Sequence, residues 1–270
     1  MISLNLTVHN KSFLLPEVLS GIKNNTTGNY EIIFVLDGCT DSSLQMVEYF
    51  CMNNPRIKTK ILEAPDVYET KANNLALKNS TGNYAIIIQD DQIITQSGYN
   101  ERLLKPFHLF SDVFAVTGRC AHSWRINPHS IDINKDEIDG YAWSDILEHY
   151  NHADKSNTDR DTFAIRNSVN RGPLVVDLQA MESIGYFDES YKMDMDEHNA
   201  CYLAKEKLGM VSGFYDIGWT SEARFGGTRD EDGNTKQWAL KNNHISSKIF
   251  YNRWKEELIK PGIVENRNCK

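Results

Sequence analysis

The chain has 270 residues, 40% hydrophobic and 24% charged, which is enough to bury one sizeable core of an ordinary globular kind. Its net charge of −8 excludes nucleic acid as the main partner, since phosphate backbones need a concentrated basic surface; a phosphate ligand must be small or bridged by a cation. No window reaches the roughly 18 uncharged apolar residues of a membrane-spanning helix, and the amino terminus MISLNLTVHN has no basic leader, so the expected location is cytoplasmic, with peripheral membrane contact open.

In chain order, Ile2 to Val8 is an apolar run, and FLLPEVLSGI after it places Leu15, Val18, Leu19 and Ile22 at helical spacing behind a helix-starting Pro16. EIIFVLD (Glu31 to Asp37) reads as a buried strand. CTDSSLQMVEYF then opens with capping residues before Leu44, Val47 and Phe50 recur on one face. KTKILEA is a weaker third strand, TKANNLALKN a helix closed by STGN, and YAIIIQDD a fourth strand. A helix over about 101–110 and a strand at VFAVTGR follow. Residues 121–170 lose the periodicity and read as a long irregular insertion, functional or mobile rather than packed. Order returns with LVVDLQAMESIGYFDES, a helix from about Glu197 to Leu208 and a strand within 210–217. RFGGTRDEDGN is a flexible loop, and a last amphipathic helix covers about Lys236 to Leu258. The five cysteines are scattered without C-x-x-C spacing, so they predict reduced structural thiols and neither a disulfide framework nor a zinc site.

Strands separated by helices predict an α/β domain with a Rossmann-like, mostly parallel central sheet and helices on both faces. Ligands of such sheets bind at the carboxyl ends of strands. Asp37 and the pair Asp90/Asp91 stand at such ends. Adjacent carboxylates at the end of a greasy strand repel each other unless a positive charge sits with them. The alternative is a pair of hydrated turn residues.

Four segments in order resemble family 2 glycosyltransferases of the A-type (GT-A) fold: Thr7-Val8-His9-Asn10 with its helix, Leu36-Asp37-Gly38-Cys39-Thr40-Asp41, Ala72-Asn73-Asn74-Leu75-Ala76-Leu77, and Ser80-Thr81-Gly82-Asn83-Tyr84 leading into the Asp90/Asp91 strand. RGPLVVDLQAMESIGYFDES and the acidic Asp196-Glu197 extend the resemblance to about residue 210. The family's D-x-D is here Gln89-Asp90-Asp91, its A-R-N arginine is Asn73, and its late histidine has no match near Trp219 to Gly227, although His244 lies further on.

The resemblance implies an enzyme that moves a sugar from a nucleotide-diphosphate sugar (UDP-, GDP- or dTDP-linked) to a glycan, lipid-linked or protein acceptor, with inversion and with Mn²⁺ or Mg²⁺. A divalent cation stabilises the charge on a departing diphosphate and is held by one or two carboxylates. Asp91 is the first choice for its ligand, with Asp90 sharing the metal or bonding the ribose. Thr7, His9, Asn10, Asp37 and Asn73 complete the expected donor site; Asp37 takes the base N–H or, alternatively, holds the next turn, and Asp41 is a helix cap. The general base is expected at Glu197, with Asp196 beside it and Asp194 close enough to compete. Arg229 and Lys236 are candidates to close on the diphosphate; Arg171 lines the acceptor side or pairs with Asp177 or Glu182; Trp124, Trp143 and Trp219 stack on sugars or belong to the core. The expected organisation is a catalytic domain over 1–220, with a nucleotide-binding half at 1–120 and an acceptor half at 121–220, then a loop and helix extension over 221–270. The rivals are an inactive carbohydrate- or nucleotide-binding module of the same fold, and a sugar nucleotidyltransferase, which would begin with a Gly-rich basic loop where VHNKSFLLPE has no glycine.

Overall fold

The computed structural model describes residues 1–127, 146–218, 226–228 and 235–270. Its frame is a nine-stranded sheet in the order β12-β8-β11-β5-β10-β4-β1-β2-β3. The first half is the alternation expected: β1 (Ile2–Val8), α1 (Leu15–Asn25), β2 (Tyr30–Asp37), α2 (Ser43–Asn53), β3 (Lys58–Ala64), α3 (Glu69–Asn79), β4 (Tyr84–Gln89), α4 (Tyr99–Leu109) and β5 (Val113–Thr117). β1 is parallel to both neighbours, with Thr7 opposite Val35 on β2 and Gln89 on β4, so their carboxyl ends open on one place. β3 lies at the edge, which explains the charges in KTKILEA.

Period-two alternation sends neighbouring side chains into different layers. Ile32, Phe34, Ile86 and Ile88 pack with Leu15 and Val18 of α1, Val47 of α2 and Leu103 of α4. Ile33 and Val35 face Ala72 and Ala76 of α3, and Ala85 and Ile87 face the second large core. Gly21 is needed on α1 because a Cβ there would stand 2.7 Å from the Ile94 carbonyl oxygen.

The second half differs from the sequence reading. Where 121–170 reads as irregular, the structure forms β6 (Ala121–Ile126), β7 (Leu147–Ala153), β8 (Thr162–Arg166) and β9 (Ser168–Val169). β7, β6 and β9 make a small second sheet. Their inward positions include His122, Ser123 and Ser168, which are buried although polar, so the hydropathy alternation that announces a strand is absent. β10 (Leu174–Asp177) then runs antiparallel between β4 and β5. After α5 (Leu178–Ile184), α6 (Asp196–Leu208) and β11 (Val211–Phe214), α7 (Gln237–Leu258) packs Phe250 and Trp254 against Tyr202 of α6. A strand that the sequence does not announce, β12 (Glu265–Asn268), pairs with β8, and Arg267 grips Asp112 through two hydrogen bonds of 2.5 and 2.9 Å. All five cysteines are free thiols. No helix among the described residues is long and apolar enough to cross a membrane.

Candidate active site

At the carboxyl ends of β1, β2 and β4 lies a cleft of about 820 Å³. Thr7, His9, Asn10, Asp37, Asp90 and Asp91, six residues expected in the donor site, all line it. Each is held by the loop chemistry of a strand end. The His9 backbone N–H donates to Asp90 Oδ2 at 2.9 Å, and the ring Nδ1 bonds the Asp37 carbonyl at 2.6 Å. Asn10 adopts a positive φ of 50° and its side-chain oxygen accepts from the backbone of Thr40 and Asp41, joining the β1 and β2 loops. Asp41 in turn accepts from the Ser12 and Ser43 backbones at the start of α2; burial opposes its charge, but these hydrogen bonds win and hold it at about 2.

Asp37 is 5% exposed and its carboxylate accepts from the backbone N–H groups of Val67 and Tyr68, at 2.6 and 3.0 Å. It thereby clasps the segment before α3, in which Asp66 and Tyr68 both take positive φ. Such backbone is strained for side chains other than glycine and concentrates at functional sites. Each Asp37 oxygen keeps a lone pair for a further donor. Tyr68, Phe13 and Trp238, exposed at 43%, 67% and 44%, place aromatic faces at the cleft wall.

The carboxylate corner contains a residue that motif spacing missed. Lys11, 7% exposed, brings Nζ to 3.9 Å from Asp90 Oδ1. Burial pushes the Asp90 carboxyl up to about 7, with Lys11 acting against that rise and Asp91 and Glu69 adding to it. Burial also raises Asp91, against Lys11 and Arg119. Lys11 and Arg119 together do not offset this burial, which leaves the corner short of positive charge. Two cleft-facing oxygen-donor side chains under that shortage fit a hard divalent cation. Gln89, the residue in place of an acid, donates through Nε2 to Glu69 at 3.1 Å and accepts from Gln92 at 3.0 Å. An acid here would face Glu69 as a like charge.

Behind Glu69 stands Arg171, 4% exposed. It reaches Glu69 at 3.0 Å, Glu197 at 3.4 Å and Asp196 in a short charge-assisted hydrogen bond. These partners correct the sequence expectation of Asp177 or Glu182: Asp177 is the N-cap of α5, accepting from Ala180 at 2.8 Å. Asp196 and Glu197 are brought together, but they are buried at 0% and 5% exposure and do not line the cleft. Burial raises Asp196 to about 7 despite Arg171. Asp194 keeps 28% of its side chain exposed, follows the cleft-lining Met193, and is raised by burial to about 6.

The other expectations sort by burial. Asn73 is 1% exposed, its amide turned inward from α3 without a hydrogen-bond partner among the described residues, while its neighbour Ala72 takes the cleft wall. Trp124 is core, 4% exposed. His244 is buried on α7. Lys236 lines the cleft and donates to the Gly227 carbonyl at 3.1 Å. Trp143, Trp219 and Arg229 lie outside the described residues.

The sequence profile of glycosyl transferase family 2 matches residues 3–171, more than half of the chain. The chain belongs to this family. Among curated proteins, glycosyltransferase GlyG of Streptococcus pneumoniae serotype 4 is 29% identical over 97 residues, 36% of this chain and 32% of that protein. Glycosyltransferase GlyA of the same organism is 33% identical over 104 residues, 38% of this chain and 14% of that protein. The matched stretch thus spans a third or less of the length of these relatives. Among solved structures, the mannosyltransferase PcManGT from Pyrobaculum calidifontis, in complex with GDP-Man and Mn²⁺, superposes with a TM-score of 0.60 at 14% identity, over 84% of this chain and 57% of that one. TarS of S. aureus does so with 0.51 at 16% identity, over 80% and 35%. Identities this low show the fold, which is the GT-A fold. Family 2 membership is what the sequence motifs imply.

Proposed function

We propose that this glycosyltransferase takes a nucleotide-diphosphate sugar into the 820 Å³ cleft and transfers the sugar, with inversion and with Mn²⁺ or Mg²⁺ bound, to an acceptor hydroxyl. The observation that carries the reading is the pairing across one cleft of Asp90 and Asp91 with the loop clasped by Asp37. The fold neighbour crystallised with GDP-Man and Mn²⁺ supports the same ligand class.

In this reading Asp37 accepts the N–H of the base on its spare lone pairs, His9 lies flat beside it, and Thr7 and Asn10 shape the pocket. Tyr68 and Trp238 offer faces for a ring to stack on. Asp91, assisted by Asp90, would hold the divalent cation, whose contribution is to stabilise the charge of the departing diphosphate. Lys236 lines the same cleft and adds a positive charge.

The acceptor oxygen attacks the anomeric carbon from the face opposite the diphosphate. The new C–O bond forms as the sugar–phosphate C–O bond breaks, and the hydroxyl proton passes to a carboxylate. Of the three acids at the start of α6, Asp194 fits this task best, being the exposed one and next to the cleft, with an affinity for protons near that of a working base. Asp196 and Glu197, locked on Arg171, position the turn that carries it.

The test is nucleotide binding by calorimetry for UDP, GDP and dTDP with and without Mn²⁺, followed by donor hydrolysis. Asp91→Asn is expected to abolish the Mn²⁺-dependent part of binding; unchanged binding refutes the cation assignment. Asp194→Asn is expected to keep binding and lose turnover, while a loss confined to Glu197→Gln returns the base to Glu197. Tight binding without turnover of any donor identifies an inactive module.

A further inference from the structure

A second constellation lies away from the cleft, where the small sheet meets α6. Cys120 precedes β6, His122 is on β6 and His152 is on β7, and one ligand atom from each lies within 4.8 Å of the others. The two strands are antiparallel, with Ala121 opposite Ala153 and a bulge between Ala121 and Ser123 that re-aims the side chain of His122. None of the three residues lines the cleft.

His122 is the observation that asks for a ligand. It is 1% exposed, and neither ring nitrogen has a hydrogen-bond partner among the described residues. A buried, unpaired polar group is rare in native structures and usually marks a missing ion or water. Its surroundings are aromatic: His149 at 4.8 Å and His198 at 5.2 Å between ring centres, with Trp124 edge-on at 4.8 Å. His152 bonds Asp154 through Nε2 at 2.9 Å, the carboxylate support commonly found behind a metal-binding imidazole.

We propose that Cys120, His122 and His152 form a binding site for a transition-metal cation of the zinc class, distinct from the carboxylate corner of the cleft. One thiolate and two imidazoles are borderline-soft donors that select Zn²⁺ or Co²⁺, whereas the oxygen donors of Asp90 and Asp91 suit Mg²⁺ or Mn²⁺. On binding, the Cys120 S–H bond is replaced by a sulfur–metal bond and the proton leaves to solvent. Three protein ligands leave the fourth tetrahedral position to water. The absence of C-x-x-C spacing conceals such a site, since its ligands come from a C-x-H step on one strand and a single histidine on the next. The ion would pin β6 to β7 beside His198, four residues after Asp194 on the acceptor side.

The test uses the whole chain stripped with EDTA, dialysed, and titrated with Co²⁺ and then Zn²⁺. The expected result is tetrahedral visible bands and a thiolate charge-transfer band that saturate at one Co²⁺ per chain, displaced by Zn²⁺ and untouched by Mg²⁺. Cys120→Ser is expected to remove the charge-transfer band and His152→Ala to weaken binding at least tenfold, whereas Asp91→Asn binds as the unmodified chain does. Zn²⁺ is also expected to raise the melting temperature and to slow alkylation of Cys120 by iodoacetamide, measurements that need no variant. An absent thiolate band, a band that survives Cys120→Ser, or Cys120 alkylation unaffected by Zn²⁺ overturns the proposal. Loss of zinc binding with nucleotide binding intact, and the converse, separate this site from the cleft.

Discussion

Replacing Arg171 with methionine removes the one cation shared by Glu69, Asp196 and Glu197. At 4% exposure the guanidinium is beyond the screening that makes surface pairs weak, and its volume is roughly kept by the new side chain. Breaking a buried pair by removing one partner costs about 3–5 kcal/mol, which for a domain of this size lowers the melting temperature by roughly 6–20 °C. The pH dependence is specific. Burial already raises Asp196 to about 7 in the folded protein, above its unfolded value, so its ionisation works against folding as pH rises towards 7. Without Arg171 its folded pKa rises further. Below about pH 7 both proteins then carry the same protonated Asp196, and above it only the unmodified protein ionises the group at no further loss. The gap should therefore widen above pH 7 by up to about 1.4 kcal/mol per unit, or about 2 kcal/mol by pH 8.5. Melting curves by circular dichroism at pH 6.5 and 8.5 measure it. A loss under about 3 °C at pH 8.5, or an equal loss at both pH values, would show that the acids are not charged partners of Arg171 and that the reasoning is wrong.

The other predictions concern the cleft and the sheet edge. Asp37→Ala should cost about 1–3 kcal/mol by orphaning the Val67 and Tyr68 N–H groups, and should weaken nucleotide binding, read by urea unfolding and calorimetry; a neutral effect on both would dismiss the clasp. Gln89→Glu replaces a hydrogen bond to Glu69 with a like-charge contact, so it should lower stability by roughly 1–3 kcal/mol at pH 8 and gain more melting temperature from added Mn²⁺ than the unmodified protein does; equal Mn²⁺ shifts count against the carboxylate corner as the cation site. Arg267→Ala should cost at most about 1 kcal/mol at pH 7, because Asp112 is 41% exposed. The hydrogen bonds from Arg267 lower the Asp112 pKa, so that contribution is present above the unfolded carboxylate range and is lost as pH falls through the lowered folded value, which melts of both proteins over an acid pH series detect.

Much of this was legible wherever apolar runs and strand ends speak for themselves. β1, β2 and β4 announce themselves by buried runs, and Asp37 and Asp90 mark their ends. The second sheet is silent because His122, Ser123 and Ser168 are buried in it beside Trp124 and Leu147, and the burial of such polar residues depends on partners far away in sequence. Lys11 could not be found by motif spacing, since its burial follows from Asp90, seventy-nine positions on. Arg171 is similar: its acids lie at 69, 196 and 197, and only the fold shows that they meet. The family resemblance put Glu197 in the base role; the exposure of Asp194 is what the proposal of a different base rests on, and it depends on which way the turn before α6 faces.

The antiparallel insertion of β10 between β4 and β5 bears on how this chain can be dissected. A fragment ending near residue 120 would contain the four motif segments shared with the family, yet β4 would keep only β1 as a hydrogen-bonded neighbour, and β5, whose partners among the described residues are β10 and β11, would have none. The exposed edge would be Ala85 to Ile88, a run with strong β propensity and no charge, of the kind that recruits other chains. The first and second halves of the chain are therefore interleaved through one strand, and exchanging them between relatives by chimera calls for crossover points after Asp177 rather than near residue 120.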